Sequence, residues 1–214
     1  TIRTALLEAR FLFGTRVLYE ELVTRFDAEL VVGSAAEFVE AKLRERDMRV
    51  SKAGTSRYLV EPNVKDGKGG LRDLHTLFWI AKYVHGVRNT ADLVRAGVFT
   101  QDEYRQFEEA ETFLHATRNA LHLIAGRPMD QLTFDMQVDV ADRLGYIDHS
   151  GRRAVEHFMQ DYFRHATRVG ELTRIFLTSL EAQHVKQEPA LQRLLKRRRK
   201  VGDQYEMVHN RLNV

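Results

Sequence analysis

The sequence predicts a mainly α-helical chain, folded as a helix bundle with one or two short strands. Three observations lead there. Only 3 prolines and 13 glycines punctuate 214 residues, so few positions force a turn. Apolar residues recur at helical spacing over long stretches. Those stretches are bracketed by residues that cap helices.

Taken in order, residues 2–13 carry Ile2, Ala5, Leu6, Leu7, Phe11, Leu12 and Phe13 before Gly14. This density suits a buried strand or the start of a helix, and periodicity alone does not choose. From Val17 through Leu18, Leu22 and Phe26 the spacing becomes helical, and Gly33 breaks it. Ser34-Ala35-Ala36-Glu37 has the form of a capping box opening a helix to about Met48. Ser51–Ser56 reads as a loop, and Tyr58-Leu59-Val60 as a short strand closed by Pro62. A helix is predicted from Leu71 to Gly86, and another from Gln101 to Gly126, with Thr100 and Glu103 in capping-box positions. Phe134–Leu144 is a short helix, and Arg152–Ala182 a long one. Pro189 interrupts, Ala190–Lys200 resumes the helical pattern, and Gln204–Val214 reads as an extended tail.

Composition narrows the function. Lys plus Arg is 33 and Asp plus Glu is 30, a net charge of +3, which argues against a nucleic-acid partner. There is no cysteine, which excludes a disulfide scaffold, a cysteine nucleophile and a thiolate metal site, and fits a reducing compartment. No apolar run approaches the roughly 20 residues of a membrane span. The start, Thr1-Ile2-Arg3, resembles neither a signal nor a transit peptide, so a cytoplasmic location is expected and the chain reads as mid-protein sequence.

The segment Asn63–Asp73 is the strongest chemical signal. Gly67, Gly69 and Gly70 allow close backbone approach and positive φ. The helix beginning at Leu71 presents amides and the positive end of its dipole, and Lys65, Lys68 and Arg72 add cationic charge. The combination suits phosphate or another anion. It is not a Walker A loop, because Leu71 rather than Lys follows Gly70. Other candidates are bland. His157, Asp161 and His165 share a helix face but read as a polar seam, and no metal ligand set is assigned. Arg118 and His122 read as an interhelical polar contact. His75 and Trp79 could stack on a base or pack in the core, and the Lys196–Lys200 run is a solvated helix end.

The pattern N-x-K-x-G-x-G-G-L-R-D-L-H over residues 63–75, with the aromatic-rich helix after it, resembles the bacterial uridylyltransferases that modify the nitrogen regulatory protein P-II. Leu6–Gly14, Arg118–His122 with Gly126-Arg127 and Leu132–Asp135, and Phe158–His165 with Leu172-Thr173-Arg174 extend the resemblance over nearly the whole chain. The glutamine synthetase adenylyltransferases share a looser form of the loop, and Asp66 stands where the uridylyltransferases often have Glu.

The resemblance implies a parent enzyme that moves UMP from UTP to a tyrosine of P-II with Mg2+, and removes it when glutamine signals through further domains. It implies that residues 1–15 end a nucleotidyltransferase core and supply the short strands. Residues 16–200 would then be the associated helical domain, and 201–214 a linker toward a metal-hydrolase domain. It places Lys65, Gly67, Gly69, Gly70 and Arg72 at the nucleotide phosphates, and Glu8 and Arg10 at a remnant of a catalytic Asp-x-Arg motif. No Asp-x-Asp and no His-Asp pair occurs in the sequence, so the chain by itself is expected to be inactive. The alternative is a noncatalytic helical module that docks P-II or braces neighbouring domains.

Overall fold

A computed structural model describes residues 2–53, 59–184, 198–200, 206–208 and 211–213. Eight α-helices follow one another among them: α1 (Ile2–Leu7), α2 (Arg16–Phe26), α3 (Ala35–Ala53), α4 (Leu71–His85), α5 (Asp92–Arg95), α6 (Gln101–Ala125), α7 (Phe134–Arg143) and α8 (Ala154–His184). No described helix is long and apolar enough to cross a membrane.

The chain divides into two compact units, Thr1–Arg174 and Ile175–Val214. In the second, three-residue strands β1 (Arg198–Lys200), β2 (Glu206–Val208) and β3 (Arg211–Asn213) pair antiparallel in that order. The helix expected over Ala190–Lys200 lies outside the described residues except for β1, and the tail expected from Gln204 is described only at β2 and β3.

The first unit is built around α4. Leu71, Leu74, Leu77, Ile80 and Ala81 are buried at helical spacing, each large one removing an apolar side chain from water at a gain of roughly 1.5–3 kcal/mol. Helix α4 packs against α3 on one side and α6 on another, and α6 packs against α7. Phe113 of α6 meets Phe158 of α8 with ring centroids 6.1 Å apart. The capping box at Thr100 forms: the Glu103 amide donates to the threonine hydroxyl, and the Thr100 amide donates to the Glu103 carboxylate. Helices α4 and α6 stop at Gly86 and Gly126, both at positive φ.

Four expectations are corrected. The strand expected to be left over from a core is absent from residues 2–13, which open with helix α1, where Leu6 and Leu7 pack on the cluster of Phe26, Phe38 and Tyr83. Leu59 and Val60 are exposed and form no strand, and Tyr58 lies outside the described residues. Helix α3 runs on to Ala53, past Met48 and through the first residues of the expected loop, because no helix breaker precedes Gly54. The capping box at Ser34 is not made. A π-helical turn at Asp27–Val31 precedes it, and the Ser34 hydroxyl turns back to the Leu30 carbonyl and to the Tyr83 hydroxyl at 2.8 Å.

Candidate functional site

The glycine loop closes on itself. Asn63 Oδ1 accepts the amides of Lys65 and Asp66 at 3.1 and 2.7 Å, the local turn that Asn favours. The amides of Gly67, Gly70, Leu71, Arg72 and Asp73 donate to the carbonyls of Asn63, Gly67, Val64, Lys65 and Gly70. The strand-like stretch before it is pinned to residues 130–132: the Val64 amide donates to the Asp130 carbonyl at 2.8 Å, and the Leu132 amide to the Pro62 carbonyl at 2.9 Å. The expectation of unpaired amides at the start of α4 is therefore corrected, since the loop's own carbonyls take them.

Packing accounts for the three glycines. A Cβ at Gly69, which has φ +80°, would stand 2.3 Å from the Ala166 carbonyl oxygen of α8. At Gly67 it would lie 2.5 Å from the Asn63 carbonyl oxygen, and at Gly70 2.7 Å from that of Val64. Backbone meets backbone at all three, and only hydrogen fits.

Asp73 locks the loop to its surroundings. Its side chain is 1% exposed, accepts the Gly69 amide at 2.9 Å, and pairs with Arg49 and, at 3.4 Å, Arg46, both on α3. Burial pushes the Arg49 guanidinium's pKa down, and the Asp73 carboxylate beside it only partly offsets this.

Beside this lock, α1, α3 and α4 enclose a pocket of about 260 Å³. Thr4, Lys42, Arg49, Arg72, Thr76 and Trp79 line it, with Glu45 at one side. Lys42 is almost wholly buried, pairs with Glu45 at 2.7 Å and lies 5.1 Å from the Trp79 ring centroid. The Arg72 guanidinium lies 5.5 Å from the same ring and 3.6 Å from Asp66. An aromatic face flanked by three cations, with one carboxylate, suits an anionic group attached to a planar or apolar body.

A second charged cluster lies on the loop's other flank. Asp130 accepts from Arg118 Nε at 2.7 Å and meets His122 Nε2 at 3.4 Å and Lys65 Nζ at 3.5 Å. Burial acts to raise the Asp130 pKa, but Arg118, His122 and Lys65 together hold it below the usual carboxylate range.

The sequence-predicted residues thus separate. Arg72 lines the pocket, whereas Lys65 reaches the Asp130 cluster. Gly67, Gly69 and Gly70 shape the loop between them. Glu8 is exposed just after α1 and accepts from Lys82 of α4 at 2.9 Å, and Arg10 is exposed two residues on. His75 and Trp79 lie with ring centroids 5.8 Å apart, and burial, with Arg72 and His115 nearby, pushes the His75 pKa down to about 4. The stripe of His157, Asp161 and His165 does not converge: His157 stacks on His149, Asp161 accepts from the Tyr146 hydroxyl, and His165 stacks on Phe113. Sequence reasoning missed Lys42, Arg46 and Arg49. Their spacing of four and three residues puts them on one face of α3, and that stripe was the legible signal.

These features have relatives. Residues 37–177, which include most of α3, the loop, α4, α6 and most of α8, match the model of the GlnD PII-uridylyltransferase family. The whole chain is 59% identical to a bifunctional uridylyltransferase/uridylyl-removing enzyme of Ruegeria pomeroyi, 56% to one of Cereibacter sphaeroides and 54% to one of a Bradyrhizobium species (strain ORS 278). It covers 24%, 23% and 24% of those proteins, so it spans about a quarter of the length of the curated relatives it matches. With two thirds of its residues matched by one family model, the chain belongs to the GlnD PII-uridylyltransferase family.

Proposed function

We propose that this chain is the part of a P-II uridylyltransferase that frames the nucleotide cleft. The parent enzyme transfers UMP from UTP to a tyrosine of P-II and removes it, under the control of glutamine acting through other domains, in the cytoplasm. Within it, residues 1–15 end the nucleotidyltransferase core, 16–200 form the helical domain and 201–214 lead to a metal-hydrolase domain. One observation carries the reading: the family's glycine loop delivers Arg72 into a pocket that also holds Lys42, Arg49 and Trp79. Positive charge at fixed positions stabilises a triphosphate and the charge that builds on its leaving group.

In this reading Arg72 contacts phosphate directly. Lys65 approaches from the Asp130 side, and Gly67, Gly69 and Gly70 hold the two cations on either flank. Glu8 and Arg10 sit at the edge toward the catalytic core. The pocket's donor set fits phosphate rather than Mg2+, because its single carboxylate, Glu45, is already paired with Lys42. The Mg2+ that accompanies UTP is held by carboxylates elsewhere in the parent enzyme.

The test uses the full-length enzyme. Arg72→Ala is expected to raise the UTP KM by about tenfold, the loss of one charge-assisted contact of about 1.4 kcal/mol, and Lys65→Ala by less. An unchanged KM and turnover in both variants would make the loop purely structural. A second reading, a docking module for P-II or a brace for neighbouring domains, is favoured by one observation. Phe13, Val17, Leu18 and Val32, on α2 and its flanks, are each exposed. Calorimetry with UTP and with P-II, run separately on this chain, distinguishes the two: heat with P-II alone supports docking, and heat with UTP supports the cleft.

A further inference from the structure

Next to the pocket along α4, one turn on from Arg72 and beside Trp79, three side chains converge. His75 comes from the second turn of α4, and Glu111 and His115, four residues apart, come from one face of α6. One ligand atom from each lies within 4.8 Å of the other two, and the two imidazole rings have centroids 5.9 Å apart. All three are half-buried. Among the described residues, no hydrogen bond or salt bridge reaches any of the three side chains. Three other histidines of this unit contrast with them: His122 has Asp130, and His149 and His157 have each other.

We propose that His75, Glu111 and His115 form a binding site for a divalent transition-metal ion of the zinc class, tying α4 to α6. Two imidazoles and one carboxylate are a borderline-soft donor set that favours such ions over Mg2+ or Ca2+. Ligands around zinc bond at about 2.0–2.2 Å, so the three groups need to draw in by roughly 1–1.5 Å, a side-chain rotation rather than a helix shift. Water completes the coordination, since the three residues are only half-buried. The charges facing it come from several elements: Arg72 of α4, Glu108 and Arg118 of α6, and Glu8 after α1. The two arginines oppose a cation and the two glutamates favour it, so the balance rests on the ligands themselves. Helix α4 opens with the glycine loop, so a bound ion would fasten the loop's helix to α6 from the side opposite the Asp73 lock.

The experiment uses the tag-free 214-residue chain stripped of metal with a chelator. Zn2+ is added in calorimetry and in thermal melts, and Co2+ as a visible-absorption probe. The wild type is expected to bind one ion per chain, to melt at higher temperature with Zn2+, and to give the intense Co2+ absorption of a low-coordinate nitrogen and oxygen site. Glu111→Gln, which keeps the side-chain shape, and His115→Ala are expected to weaken binding by at least about tenfold and to abolish the melting shift. His157→Ala, at the other histidine pair, retains both. If His115→Ala does not fold, Glu111→Gln alone decides. Absence of one-to-one binding in the wild type, or binding unchanged by Glu111→Gln, or binding lost in His157→Ala, overturns the proposal.

Discussion

The glycine loop and helix α2 are both rich in features that invite a functional reading, and the structure treats them in opposite ways. At the loop, the backbone is used locally: most amides pair with nearby carbonyls or with the Asn63 and Asp73 side chains, and three glycines touch backbone where a methyl would collide. Along α2 and its flanks, apolar side chains are left in water. Phe13 is 89% exposed, Val17 68%, Leu18 66% and Val32 76%. The loop's unusual composition is thus explained inside this chain, by the need to fit against α8 and to carry Asp73 to α3. The composition of α2 is not satisfied within the described residues. An exposed apolar stretch of this kind marks a contact surface, whereas glycine richness by itself does not mark a ligand.

This contrast can be broken at its strongest point. Asp73→Ala removes the buried carboxylate and leaves Arg46 and Arg49 facing each other in the interior, so urea denaturation should show a loss of about 3–5 kcal/mol. A loss under about 1 kcal/mol would mean that the lock is dispensable and the loop is held by its backbone alone. Next in size, Gly69→Ala places a methyl against the Ala166 carbonyl at a positive φ. A cost of about 2–3 kcal/mol is expected from the strained backbone and the shift of α8 together. If Gly69→Ala is as stable as wild type, the glycine serves a ligand and not packing. At the other extreme, Val17→Ser on α2 exchanges residues of similar helix propensity at an exposed site, and its melting curve should differ by less than about 0.5 kcal/mol. A larger loss would show that the α2 face is covered within this chain, and the contrast would fail.

Much of the architecture is legible in the sequence. The stop at Gly86, the Thr100–Glu103 box and the long final helix follow from local rules, because capping and helical spacing act over one or two turns. The Ser34 box shows where those rules end. The same four residues have box chemistry, but a distant hydroxyl on Tyr83 and a carbonyl released by the π-helical turn compete for the serine, and they win. The segment 2–13 was ambiguous between strand and helix for the same reason: its apolar density is resolved by what it packs against, the Phe26, Phe38 and Tyr83 cluster.

The candidate site divides along the same line. The sequence by itself determined that residues 63–75 are exceptional, that they open a helix, and which family carries them, since all of that resides in contiguous residues. Tertiary structure alone decided that the loop's amides are spent internally, that Arg72 and Lys65 lie on opposite flanks, and that Lys42 and Arg49 join Arg72 around Trp79. It alone brought His75 to Glu111 and His115. The physical reason is range. A cap or a turn is settled by neighbours a few residues away, whereas a charged pocket, a buried ion pair or a ligand set is assembled by helices whose mutual packing depends on every apolar face in the bundle.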